Sequence, residues 1–396
     1  MASTVFFQLR SIFRPFYLGV FTLVIWLSAC QSDNKSFNLD TALQTSEKSK
    51  SDIKYAVGFD LEKFEKYKVL HLFRHYNNTT DTLSYVLLEN GAHVDKRFQQ
   101  LVKINVPIQN IALLHSSYLP FFELCETTDL VTAISESKYI YNEKIFNKIA
   151  TGALPEVGYG ESLDKEQILK LGINTVVTVG WPNTPNKSQQ LLMELEIPVL
   201  VFSEWQESTL LGRAEWIKVI AALTGADELA NVKFYEIEEE YNRLKAKASN
   251  VSSRPKIVCN LPYKGSWYVP GGNSYMSNVL SDAGGDYLWS DDPGTGGIQM
   301  DFELVYSNGI NADIWINPGT AKSTNNIIET DERLKDFLPV RNNSVFNYTK
   351  RVVRGIANDY WESAITQPQL VLADYIKILH PELLPDHELY YYQQLK

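Results

Sequence analysis

Residues 208–249 run without a proline. The stretch holds Arg213-Ala214-Glu215-Trp216-Ile217-Lys218-Val219-Ile220-Ala221-Ala222-Leu223, a stop at Gly225, and a second periodic run from Asp227 through Tyr241 and Leu244 to Ala248. The spacing predicts consecutive helices. On either side the pattern changes to short β-branched or aliphatic runs, each closed by polar, aromatic or breaker residues. A chain of this kind is expected to fold as two α/β halves joined through helix, a connector that resists bending more than paired hinge strands do.

The first half opens with a β-rich leader over 53–103, where Lys68–Phe73 and Ser84–Leu88 are expected to pair antiparallel. Residues 108–114 then read as a buried strand that ends in His115-Ser116-Ser117-Tyr118, followed by a helix over 119–124. Val131–Ile134 is a second strand, closed by polar residues and a Tyr. A helix is expected over 164–171, between Asp164 and Gly172. Thr175–Val179 ends at Gly180-Trp181-Pro182-Asn183, residues 187–195 read as helix, and the strand 197–202 ends in Ser203-Glu204-Trp205. Strands that finish in polar and aromatic residues point to a cleft at the C-terminal edge of a parallel sheet. The second half repeats the pattern with strands at 256–260 and 313–318, a helix over 274–282, and a glycine-rich loop expected over 265–273. The final stretch is expected to cover the second sheet. The predicted organisation is a lobe over 53–207, a helical linker over 208–249 and a lobe over 250–396.

Composition narrows the function. Of 396 residues, 44% are apolar and 21% charged, values of a folded chain. The net charge of -10 argues against nucleic acid as the main partner. Three cysteines exclude a disulfide scaffold; Cys125 and Cys259 are expected to be unpaired buried hydrophobes. Residues 1–30 carry Arg10 and Arg14 ahead of an uncharged apolar run, the order of an export signal. That run, about 15 residues long, is short for a spanning helix. It ends in Leu27-Ser28-Ala29-Cys30, which resembles a bacterial lipobox and implies lipidation of Cys30; the alternative is an ordinary N-terminal anchor with an incidental cysteine. Residues 31–52 read as a polar, flexible tether. The expected location is periplasmic, lipid-anchored to a bacterial membrane, or else the outer-membrane cell surface.

Leu211-Gly212-Arg213-Ala214-Glu215-Trp216-Ile217, Leu223-Thr224-Gly225, Gly265-Ser266-Trp267-Tyr268-Val269-Pro270-Gly271-Gly272 and Asp282-Ala283-Gly284-Gly285-Asp286-Tyr287 form an ordered set. Over roughly 105–380 it resembles the substrate-binding proteins of ABC importers for iron–siderophore, haem and cobalamin uptake, in a branch found as lipoproteins in Bacteroidetes. The resemblance implies a class III periplasmic binding protein fold, with two lobes of mostly parallel sheet joined by one long helix. It implies a ferric siderophore or similar iron chelate as ligand, with haem or a corrinoid, or a stand-alone surface capture role, as alternatives. It also implies an ABC permease with its ATPase as partner, a monomer, membrane contact through the lipid anchor only, and no cofactor beyond iron or cobalt carried in by the ligand. Glu166 and Glu303 match the surface glutamates that this family presents to permease arginines; the alternative is that each serves a helix N-terminus.

For the pocket, His115, Ser116 and Tyr118 are expected from one strand end, Trp181 from a second and Trp205 from a third, with Arg213 for an anionic ligand group. Trp267, Tyr268 and Trp289 are expected from the second lobe. Aromatic rings supply apolar burial for a large ligand, although each is as readily a core residue, and Arg213 could instead pair with a nearby acid. The sequence holds no GxxxxGK[ST], HExxH or GxSxG pattern, so neither nucleotide binding nor hydrolase chemistry is expected, and the chain reads as a binding protein, not an enzyme.

Overall fold

The computed structural model describes residues 52–76, 79–180 and 187–396, so Cys30, the tether up to residue 51, and Trp181 lie outside the described residues. The leader is a four-stranded sheet. In it β1 (Phe59–Lys63), β2 (Tyr67–Tyr76) and β3 (Thr79–Leu88) are antiparallel, and β4 (Val102–Asn105) runs parallel to β3. The expected pairing lies inside the β2–β3 hairpin, with Leu70 opposite Tyr85 and Leu72 opposite Leu83. Alternation places Phe59, Leu61, Leu70, Leu72, Tyr85 and Leu87 in the first lobe's core.

That lobe is built on β5 (Ile111–Leu113), β6 (Val131–Ile134), β7 (Thr175–Val179) and β8 (Val199–Phe202), all parallel in the order β6-β5-β7-β8. Every residue of β7 is buried, as a strand covered on both faces must be. Leu119, Phe122, Val219 and Ile220 pack with the leader on one side, and Ile168 and Leu192 lie in a separate cluster with Val176 and Ala112.

The second lobe runs through β9 (Lys256–Cys259), β10 (Pro262–Tyr263), β11 (Ser266–Pro270), β12 (Asp286–Tyr287), β13 (Gly297–Asp301), β14 (Ile314–Ile316) and β15 (Val345–Asn347). The hairpin β16 (Val352–Val353) and β17 (Ala357–Asn358) and the final β18 (Gln393–Gln394) follow. Its main sheet has the order β12-β9-β14-β15-β18, parallel except for β18. The 265–273 stretch departs from expectation. It is not a long loop: β11 is the middle strand of a small antiparallel sheet β10-β11-β13. Trp267 and Val269 alternate inward while Tyr268 points out, so a period of two governs the segment. The glycines lie at its ends, where a Cβ on Gly271 or Gly272 would stand 2.3 Å from backbone oxygens of the 290–294 turn.

The helix Asp227–Ala248 joins the lobes. Ala230 and Phe234 belong to the first core, and Ile237, Tyr241, Leu244 and Ala248 to the second. The expected continuous helix ahead of it is broken: Leu210–Glu215 and Ile217–Thr224 meet at Trp216, and Gly225 caps the latter at φ 78°. Leu210 and Leu211 pack into the second core while Ala214 and Trp216 pack into the first. Cys125 and Cys259 are free and buried in separate cores.

Candidate functional site

A cleft of about 410 Å³ opens at the C-terminal edge of the first lobe's sheet. Each parallel strand delivers residues to it. His115, Ser116 and Tyr118 follow β5; Glu136 and Tyr139 follow β6; Val179 ends β7; Glu204 and Trp205 follow β8. The short helix Leu210–Glu215 adds Arg213, and the second lobe closes the cleft with Tyr275, Ile356, Asn358 and Trp361.

The floor is a buried polar chain. Tyr118 is fully buried, packs edge-on against Phe202, and donates its hydroxyl to Glu204 Oε2 at 3.2 Å. The Glu204 carboxylate lies 3.8 Å from the Arg213 guanidinium. Burial pushes the Glu204 carboxyl above its ordinary range, and Arg213 and Tyr118 pull it back. Arg213 also stacks on the Tyr275 ring at 4.7 Å, reaching from its helix to the second lobe. Its Nε is buried without a hydrogen-bond partner among the described residues. A half-buried guanidinium with a long ion pair and an orphaned N–H holds donor capacity for an incoming anion. His115 is held by Ser117, whose Oγ lies 2.7 Å from Nδ1, and burial lowers its pKa, keeping the imidazole neutral at pH 7. With Nδ1 engaged, Nε2 is the ring nitrogen that a ligand atom can meet.

The structure thus gathers His115, Ser116, Tyr118, Trp205 and Arg213 and leaves the expected second-lobe aromatics elsewhere. Trp267 is fully buried: its indole N–H donates to the Cys259 carbonyl at 3.0 Å and its ring packs against Phe302, Trp315 and Phe337. Tyr268 faces solvent from the small sheet, half exposed, with its hydroxyl on Gln299. Trp289 packs edge-on against Tyr287 between the second lobe's two cores. The second-lobe wall comes instead from Tyr275 and Trp361. Tyr275 opens a helix capped by Ser274, directly after the Gly271-Gly272 pair; Trp361 carries no local mark. Glu136 and Tyr139 follow the 131–134 strand, where the rule that selects His115 also applies. Glu166 is exposed in the first turn of the helix Lys165–Lys170, whose N-cap is Asp164. Glu303 is exposed in the first turn of the helix Phe302–Gly309 and pairs with Arg333 at 2.7 Å.

The family model described as periplasmic binding protein matches residues 111–352. An uncharacterized lipoprotein of Methanocaldococcus jannaschii is 25% identical over 299 residues, spanning 73% of this chain and 69% of that one. Among solved structures, a Staphylococcus epidermidis periplasmic solute-binding protein put forward as iron-binding superposes with a TM-score of 0.54 at 14% identity, covering 68% of this chain and 98% of that one. A periplasmic haem-binding protein of Vibrio cholerae does so with a TM-score of 0.51 at 16% identity, covering 67% and 98%. The leader sheet precedes the matched region. The chain belongs to the periplasmic binding protein family, the non-catalytic extracytoplasmic solute receptors of ABC-type transport systems.

Proposed function

We propose that the cleft captures a planar, anionic metal chelate of the haem class and delivers it to an ABC permease. The observation that carries this reading is Arg213, a cation stacked on Tyr275 with an unpartnered buried N–H, set in a cleft that Trp205, Tyr139 and Trp361 also line. A flat aromatic macrocycle suits such rings, its carboxylates suit the guanidinium, and a neutral His115 offers a nitrogen to chelated iron. The Vibrio cholerae relative is haem-binding by name. The same cation also suits a ferric siderophore, the ligand expected from sequence, and the two are separated by titration. Lipidation of Cys30 is part of the proposal and is supported by the lipoprotein naming of the Methanocaldococcus relative.

The test is a titration of the full chain in detergent with haemin, cobalamin and ferric siderophores, followed by the Soret band and by tryptophan fluorescence. Saturable sub-micromolar haemin binding is expected. Arg213→Ala should weaken it by about 10- to 100-fold, the worth of one charge-assisted hydrogen bond. Saturable binding of another chelate class without a haemin response would overturn the haem reading.

A further inference from the structure

A second contact between the lobes lies beside the cleft. Glu362 ends the helix Asp359–Glu362 in the second lobe and is buried. Its Oε2 accepts the N–H of Tyr141 at 2.5 Å, and its Oε1 accepts the N–H of Asn142 at 2.9 Å, both in the first lobe. Asn142 caps the helix Glu143–Ala150 by accepting from Lys144 and Ile145. The carboxylate therefore takes two consecutive donors at a helix entrance. Trp361 and Asn358, on the same short segment, line the cleft, as does Tyr139 on the facing one. We propose that Glu362 is a positioning residue for ligand capture: a protonation-dependent clasp that holds the Tyr139 and Trp361 walls of the cleft at their present separation.

The surroundings make the clasp responsive to protons. From the first lobe, Glu123 bonds Asn142 Nδ2, with Glu143 and Lys144 following on the next helix. From the second lobe, Asp359 pairs with Arg351 at 2.5 Å, and Arg354 reaches across to Glu143 at 2.7 Å and to the Ile140 carbonyl. Arg351 and Arg354 also lie over the rings of Tyr141 and Phe146. Burial, with the Glu123 and Asp359 carboxyls beside it, outweighs the two N–H bonds and raises Glu362 from 4.5 to about 7. In an opened clasp the group meets water and returns to its ordinary value. Closure therefore takes up a proton. The closed form is fully favoured below the ordinary value and loses that advantage as pH rises through about 7.

The donors are backbone amides, so their hydrogen exchange reads the clasp directly, with no ligand present. For the ligand-free full chain in detergent, exchange rates of Tyr141 and Asn142 are divided by the rates of an unstructured peptide at each pH. Protection is expected to fall by up to about tenfold per pH unit towards pH 7 and then to level off. Glu362→Gln, neutral at every pH, keeps one of the two acceptors and sets its NH2 against the other N–H, so it should flatten the pH profile of both amides, with lower protection at one of them. Glu123→Gln removes a neighbouring charge and should move the fall to lower pH. A flat wild-type profile, or an unchanged slope in Glu362→Gln, would overturn the clasp. If Glu362→Gln does not fold, the wild-type profile and the Glu123→Gln shift decide. The role in capture rests on the cleft reading, whose failure would appear in the haemin titration and not in this measurement.

Discussion

Two buried carboxylates stitch the start of the folded chain to its middle. Glu215 is fully buried and accepts the N–H groups of Lys54, Tyr55 and Ala56 at 2.7–3.1 Å, while Lys218 donates to it at 2.7 Å. Glu207 accepts the next two, from Val57 and Gly58, and the Trp216 indole N–H at 2.9 Å. Burial raises the Glu207 carboxyl against those bonds. Gly58 has no room for a side chain, because a Cβ would stand 2.8 Å from the Trp216 ring. Glu215→Ala would leave three backbone donors and a lysine without their acceptor. It should cost about 3–5 kcal/mol, read as a lowered denaturation midpoint, and an unchanged midpoint would show that the strap contributes little. Glu215 lies on the same short helix as Arg213, and Glu207 just ahead of it, so the strap also braces one wall of the cleft.

At the scale of elements, the helix Asp227–Ala248 decides how the lobes sit. Its buried positions 230, 234, 237, 241, 244 and 248 alternate steps of four and three, one continuous stripe that passes from the first core to the second. Tyr241 adds a hydrogen bond to Asp282 at 2.8 Å. Because the stripe is shared, bending this helix disturbs both cores at once. Val232 is exposed on it, so a substitution there tests the backbone alone. Val232→Pro should destabilise by ~3 kcal/mol or more through the lost hydrogen bond and ring clash, and should weaken chelate binding. Val232→Ala should leave both unchanged. Thermal unfolding and the fluorescence titration provide the two readouts, and equal behaviour of the two variants would deny the helix this role. The short Leu210–Glu215 helix and the Glu362 bonds add further ties between the lobes.

For the whole molecule, the proposed contacts with the permease are Glu166 on one lobe and Glu303 on the other. Glu303 already faces Arg333, which also holds Asp331 at 2.7 Å, and Arg333 stacks on Phe302. Docking on a permease arginine would therefore exchange one guanidinium partner for another, a small net change for an exposed pair. Glu166→Ala and Glu303→Ala should each abolish or strongly reduce chelate uptake in cells while leaving affinity in the titration unchanged. Uptake unaffected by both substitutions would favour a stand-alone capture protein.

What the sequence determined by itself was local and periodic. The strands of the first lobe, the helical stretch between the lobes and the strand ends at His115, Tyr118 and Trp205 follow from β-branched runs, breakers and caps within a few residues of each other. The covering tertiary layers decided the rest. Trp267 and Trp361 are both aromatic residues in second-lobe segments. The first is enclosed because β11 turns it against Phe302 and Phe337, and the second, edge-on to Tyr348 and Tyr360, is left half exposed by the described residues. Glu362 gains its role only because Tyr141 and Asn142, some 220 residues earlier, arrive opposite it. A side chain's direction is set by its own backbone, but what it meets, and whether its charge is buried, is set by the chain folded on top of it.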